Sequence, residues 1–131
     1  MYILDTDSII YFFKAHPKIT QKLTTVKTRV VTTAINQAEL FFGAYHSTRK
    51  HENLLRLQNF FKDIPLLPFD HEATEIFGEH KALLKKKGNL IADCDLMIAS
   101  IALAHQGTLV TNNTKHFQKI KNLKYVNWLL N

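Results

Sequence analysis

The chain has 131 residues, 17 Lys and Arg against 11 Asp and Glu, a formal net charge of +6 and a single cysteine, Cys94. That length suits one domain spanning residues 1–131 with a core large enough to need no staples; one cysteine excludes an internal disulfide, and no apolar run reaches the roughly 18 residues a membrane-spanning helix requires. The basic balance favours an anionic partner without naming it, and the lack of a basic region followed by a long apolar stretch near Met1 makes a cytoplasmic protein the expectation.

Short β-rich runs alternate with longer segments of helical period. Tyr2 to Leu4 reads as a strand. It runs into Asp5-Thr6-Asp7-Ser8, where either aspartate suits the start of a helix. The next stretch, SIIYFF, is apolar on every side of a helix, which predicts either full burial or contact with another chain. Arg29 to Thr33 is the second strand. Ala34, Ala38, Phe41 and Tyr45 follow at helical intervals and carry Glu39 on the border of the buried stripe. Gly43, one turn from Glu39, costs a helix about 1 kcal/mol relative to Ala and predicts close packing at that point.

Leu54, Leu57 and Phe61 mark another helix, and Ile64 to Phe69 a third strand. Ala73, Ile76, Phe77, Leu83 and Leu84 mark the next helix, with Asp70 as its N-cap and Gly88 as its stop. Asp93 and Asp95 open a helix that is otherwise almost wholly apolar and ends at Gly107. Asp93 is the expected cap and Asp95, inside the first turn, the acid left to project. Thr108 to Thr111 is the fourth strand, followed by a polar turn at Asn112 and Asn113, and Leu123 to Asn127 is the last.

Strands alternating with helices predict an α/β fold whose parallel sheet is covered on both faces, with a ligand crevice beyond the carboxyl ends of the strands. Five of the eleven acids, Asp5, Asp7, Glu39, Asp93 and Asp95, lie in segments that open on that crevice. If Asp5, Glu39 and Asp95 meet there they repel, by roughly 4 kcal/mol for two charges 4 Å apart at an effective dielectric of 20. A cation stabilises such a cluster, and oxygen-only donors favour Mg2+ or Mn2+. No HExxH and no paired cysteines support zinc.

Four segments in order, YILDTDSIIYF, AELFFGAYHS, IADCDLMIASIALAHQGTLVTNNTKHF and the closing VNW, resemble the PIN domain ribonucleases and in particular the VapC toxins of bacterial toxin–antitoxin pairs. The resemblance spans nearly the whole chain. It implies a PIN fold with a central parallel sheet of about five strands, Mg2+ or Mn2+ dependent endonuclease action on RNA, a small cognate VapB-type antitoxin and a homodimer. It places Asp5, Glu39 and Asp95 at the three acidic ligand positions. Asn113 stands where many relatives have a fourth acid, a departure that weakens any case for a tightly bound second metal ion. Asp7 and Asp93 are expected as caps or supports behind the ligands, and Thr6 and Thr111 as residues that orient ligands or water.

For RNA contact the sequence offers Lys85, Lys86 and Lys87 at a helix end, with Lys115 beside the Asn113 turn. Two other readings compete. One is a haloacid-dehalogenase-like phosphatase with Asp5 as nucleophile, which leaves Glu39 without a task. The other is a non-catalytic domain that only binds RNA or a partner.

Overall fold

A computed structural model describes residues 1–130. Five short strands form one parallel sheet: β1 (Tyr2–Leu4), β2 (Val30–Thr33), β3 (Leu66–Leu67), β4 (Thr108–Val110) and β5 (Lys124–Val126), in the order β3-β2-β1-β4-β5. Ile3 pairs with Val31 on one side and Leu109 on the other, which fixes the register at the centre. Seven helices connect and cover the strands: α1 (Thr6–Phe13), α2 (Pro17–Thr25), α3 (Ala34–Tyr45), α4 (Lys50–Asp63), α5 (His71–Lys86), α6 (Asp93–His105) and α7 (Thr114–Phe117).

Side chains alternate across a strand, and consecutive residues of β1 feed two separate cores. Ile3 joins Val31, Leu109 and the apolar faces of α5 and α6. Leu4 joins Val110, Ile9 of α1, Ile19 of α2, Leu40 of α3, Leu57 of α4 and Trp128. The expected sheet covered on both faces is therefore present, and α3 contributes to both layers through Ile35 and Leu40.

Several local expectations change. The third strand shrinks to two residues because Pro65 and Pro68, which lack backbone N–H groups, bracket it at the sheet edge. Helix α2 was not foreseen; Pro17 begins it behind a His16 cap, and only Ile19 is fully buried. Asp5, not Asp7, occupies the N-cap of α1. Asp93 does not cap α6: that position is Ala92, without a side-chain bond, and Asp93 is exposed and paired with Lys81 at 3.0 Å.

Nothing packs on Gly43, since a Cβ there would meet no atom within 4 Å. Gly107 is the residue with a packing reason: a Cβ would lie 2.7 Å from Ile3 Cδ1. The α1 stripe is mostly covered from within, because Phe12 and Phe13 pack on Phe60 of α4 at 6.0 and 5.3 Å. Only Ile10 of that run is exposed, whereas α3 carries the more exposed Phe42 and Tyr45.

Candidate functional site

Because all strands are parallel, their carboxyl ends open on one side of the molecule. There β1 delivers Asp5, which is only 6% exposed. Its Oδ1 accepts from the backbone N–H of Thr6 at 2.9 Å and from Asn36 Nδ2 at 3.0 Å. Its Oδ2 accepts from Thr111 Oγ1, just past β4, at 2.6 Å. Burial pushes this carboxyl from an ordinary 3.8 up to about 6, and the charges of Asp7 and Asp95 push the same way against the Thr111 and Thr6 donors.

Two arms of hydrogen bonds extend from Asp5. The first passes through Asn36, fully buried in the first turn of α3 and held by Thr33, whose Oγ1 donates to Asn36 Oδ1 at 2.7 Å. Asn36 Nδ2 also donates to Thr6 Oγ1 at 3.0 Å, and Thr6 Oγ1 donates onward to Glu39 Oε1 at 2.7 Å. The second arm starts at Thr111 Oγ1, which accepts from the Asn113 backbone N–H at 3.0 Å. The Asn113 carboxamide lies 2.9 Å from His116 Nδ1, and that nitrogen lies 2.9 Å from Asp95 Oδ2.

Asp5, Glu39, Asp95 and Asn113 thus belong to one continuous polar network, with Thr6 and Thr111 as its joints. Asp7 supports it from outside: its Oδ2 accepts from the backbone N–H of Asn112 at 2.9 Å and clasps the turn that carries Asn113. Burial raises the Asp7 carboxyl as well. Cys94, exposed beside the acids, has its thiol pushed up by partial burial and then by the negative charges of Glu39, Asp95 and Asp93.

Asn36 and His116 are the functional candidates that sequence reasoning missed. Asn is a poor helix interior residue that favours caps, so Asn36 three residues after Thr33 was a readable signal. His116 had none, because its partner Asp95 lies 21 positions away.

Among the described residues, no group of three or more His, Cys, Asp or Glu side chains is drawn together tightly enough to hold a metal ion as it stands. The donor set itself fits a hard divalent cation. Glu39 and Asp95 are each anchored through one oxygen, leaving Glu39 Oε2 and Asp95 Oδ1 without a hydrogen bond among the described residues. Asp5 is a buried carboxylate that a nearby positive charge would stabilise.

A groove of about 280 Å³ between α1, α3 and α4 includes Thr6 and Glu39 of the network in its lining, together with Lys14 and Arg56. Arg56 lies over the Phe13 ring at 5.7 Å. Lys85, Lys86, Lys87 and Lys115 are exposed, and among the described residues none of them makes an ion pair with the acids of the rim.

A family profile described as PIN domain matches residues 2–123. The ribonuclease VapC2 of Rickettsia felis is 35% identical over 131 residues, with 98% of each chain covered. The tRNA(fMet)-specific endonuclease VapC of Salmonella typhimurium is 29% identical over 128 residues, with 97% of each covered. Among solved structures, VapBC2 from Rickettsia felis bound to a DNA fragment from its promoter superposes with a TM-score of 0.91 at 35% identity, covering 97% of this chain and 98% of that one.

Proposed function

The chain belongs to the PIN domain family, and from that membership we propose that it is the endoribonuclease toxin of a VapBC-type pair, held in check by a small VapB-type antitoxin. The observation that carries the catalytic reading is the network itself. Asp5 after β1, Glu39 of α3 and Asp95 of α6 are each tied into it by hydrogen bonds from Thr6, Asn36, Thr111 or His116, which leave oxygen lone pairs for a cation. The phosphatase alternative falls with the family assignment, and Glu39, idle in that reading, is here tethered by Thr6.

Asp5, Glu39 and Asp95 would hold Mg2+ or Mn2+, which supplies charge neutralisation at the scissile phosphate and lowers the pKa of water there. Asn113 lends a neutral amide to the rim, so it contributes orientation and no charge. Asn36 and the two threonines keep the acids from swinging away, a preorganisation that spares the site reorganisation when RNA arrives. Water attacks phosphorus in line, the bond to the 3′ oxygen breaks, and the products carry a 5′ phosphate and a 3′ hydroxyl. The groove cations Lys14 and Arg56 place positive charge where a polynucleotide backbone would run. Structured RNA of the transfer class is the first substrate to try, given the relative from Salmonella typhimurium. The antitoxin and a second copy of the chain are the expected protein partners, with Phe42 and Tyr45 of α3 as apolar surface available to them.

The test is cleavage of RNA by purified protein freed of its antitoxin, with Mg2+ or Mn2+ and with chelator. Cleavage should need the cation and vanish in Asp5→Asn. RNA binding that ignores chelation and yields no products would favour the non-catalytic binder.

A further inference from the structure

We infer that His116 is the positioning residue for Asp95: its Nδ1–H donates to Asp95 Oδ2 and turns the other carboxylate oxygen toward the cation. The inference rests on the nuclease reading and assigns to this chain a support that no acid of the rim supplies.

Three observations carry it. His116 Nδ1 lies 2.9 Å from Asp95 Oδ2, and Asp95 has no other hydrogen-bond partner among the described residues. The segment that carries His116 is pinned at both ends, by the Asn113 N–H on Thr111 Oγ1 and by Phe117, which is fully buried. Chemistry then fixes the direction of the bond. A carboxylate only accepts, and one ring nitrogen cannot donate to Asp95 while accepting from the Asn113 amide 2.9 Å away. The charged acceptor gives the stronger bond, so Nδ1 carries the proton and Asn113 presents its amide oxygen to it. Exchanging the oxygen and nitrogen of that amide moves no heavy-atom position.

This arrangement has a use. An Asp95 free to rotate could offer either oxygen; with Oδ2 held by His116, Oδ1 is the oxygen without a hydrogen bond among the described residues. Partners behind metal-binding side chains typically change metal affinity or activity by about 10–100-fold when removed.

Substitution separates this role from packing. His116→Asn places an amide nitrogen where Nδ1 stands and can still donate to Asp95, whereas His116→Phe keeps the ring and loses the donor. His116→Gln carries its amide to the depth of Nε2. Mn2+ binding by calorimetry, without RNA, should be near wild type for His116→Asn and weaker by about 10–100-fold for His116→Phe and His116→Gln. Cleavage should follow in kcat more than in KM. Long-range ring nitrogen spectra of the apoprotein at alkaline pH should show the Nδ1–H tautomer. An Nε2–H tautomer, or Mn2+ affinity preserved in the Phe variant, overturns the inference while leaving wild-type cleavage intact. A wild-type protein that binds no Mn2+ and cuts no RNA overturns the nuclease reading instead, and this inference with it.

Discussion

Thr6 Oγ1 donates to Glu39 Oε1 at 2.7 Å while the backbone N–H of the same residue donates to Asp5 Oδ1 at 2.9 Å. One small residue between two aspartates therefore holds two acids that lie 34 positions apart. Its hydroxyl is also an acceptor for buried Asn36. Thr6→Val keeps the shape and the backbone bond to Asp5 but removes the two hydroxyl bonds, to Glu39 and from Asn36, which should lower RNA cleavage by about 10–100-fold and stability by about 1–2 kcal/mol. Thr6→Ser should keep most of both. Cleavage assays beside urea unfolding decide it: a fully active Thr6→Val protein would mean that Glu39 needs no tether.

The three acids stood out as candidates because chain direction or helical period singles each one out: Asp5 just after an apolar strand, Glu39 beside the buried stripe in the middle of α3, Asp95 in a first turn. What joins them was not readable. Thr6, Asn36, Thr111 and His116 act through contacts across 21 to 106 positions, and periodicity carries no signal for such pairs. Cap assignment failed for a related reason. Asp5 and Asp7 are equivalent to local propensity, which at α6 favours Asp93 over Ala92; Asn112 instead reaches Asp7 and Lys81 reaches Asp93. The sheet order could be anticipated only as parallel, because strands of two to four residues say little about their neighbours.

Asp5 gives the protein a stability that depends on pH in an unusual sense. Its carboxyl titrates near 6 in the fold against 3.8 in its absence, so the folded state binds that proton more tightly than the unfolded chain. Above about pH 6 the buried charge lowers stability, on the order of 3 kcal/mol, and the penalty is relieved as pH falls from 6 toward 4. Asp5→Asn keeps the shape and one acceptor oxygen, enough for Thr6 and Asn36, and loses the charge. In chelator it should melt several degrees higher than wild type at about pH 8 and show little difference at about pH 4. Mg2+ or Mn2+ should raise the wild-type midpoint at the higher pH and leave the variant unmoved. Equal melting of both proteins at every pH would contradict a strained Asp5.

Asn36 is fully buried and spends both amide hydrogens, one on Asp5 and one on Thr6. Asn36→Ala strands those acceptors and Thr33 Oγ1 in the interior, at about 1–3 kcal/mol for the unsatisfied group. Asn36→Asp sets a fourth negative charge against Asp5 and should be the worse of the two in chelator. Added Mn2+ should narrow the gap between them, since a cation compensates charge and cannot restore a missing donor. Denaturant midpoints for both variants, with and without Mn2+, check the order, and an Asn36→Asp protein that stays less stable in Mn2+ by the same margin would contradict it.

The groove cations can be set against the lysines at the end of α5. Lys14 and Arg56 line the same groove as Glu39 and Thr6, whereas Lys85 and Lys86 end α5, with Lys87 as its C-cap, where positive charge also suits the helix dipole. Single-stranded nucleic acid binding loses about 0.7 in the slope of log K against log salt for each phosphate contact removed. Lys14→Glu with Arg56→Glu should therefore flatten that slope by about 1.4 if each residue meets one phosphate. Reversing Lys85, Lys86 and Lys87 together should change it less, although it alters more charge. Arg56 also rests on the Phe13 ring, so Arg56→Gln, which keeps much of that packing, separates lost charge from a disturbed α1 to α4 contact. Fluorescence anisotropy with a short labelled RNA across a salt series, in chelator so that no cleavage intervenes, gives the slopes. Flattening that is greater for the α5 lysines than for Lys14 and Arg56 would move the RNA path away from the groove and back to the helix end.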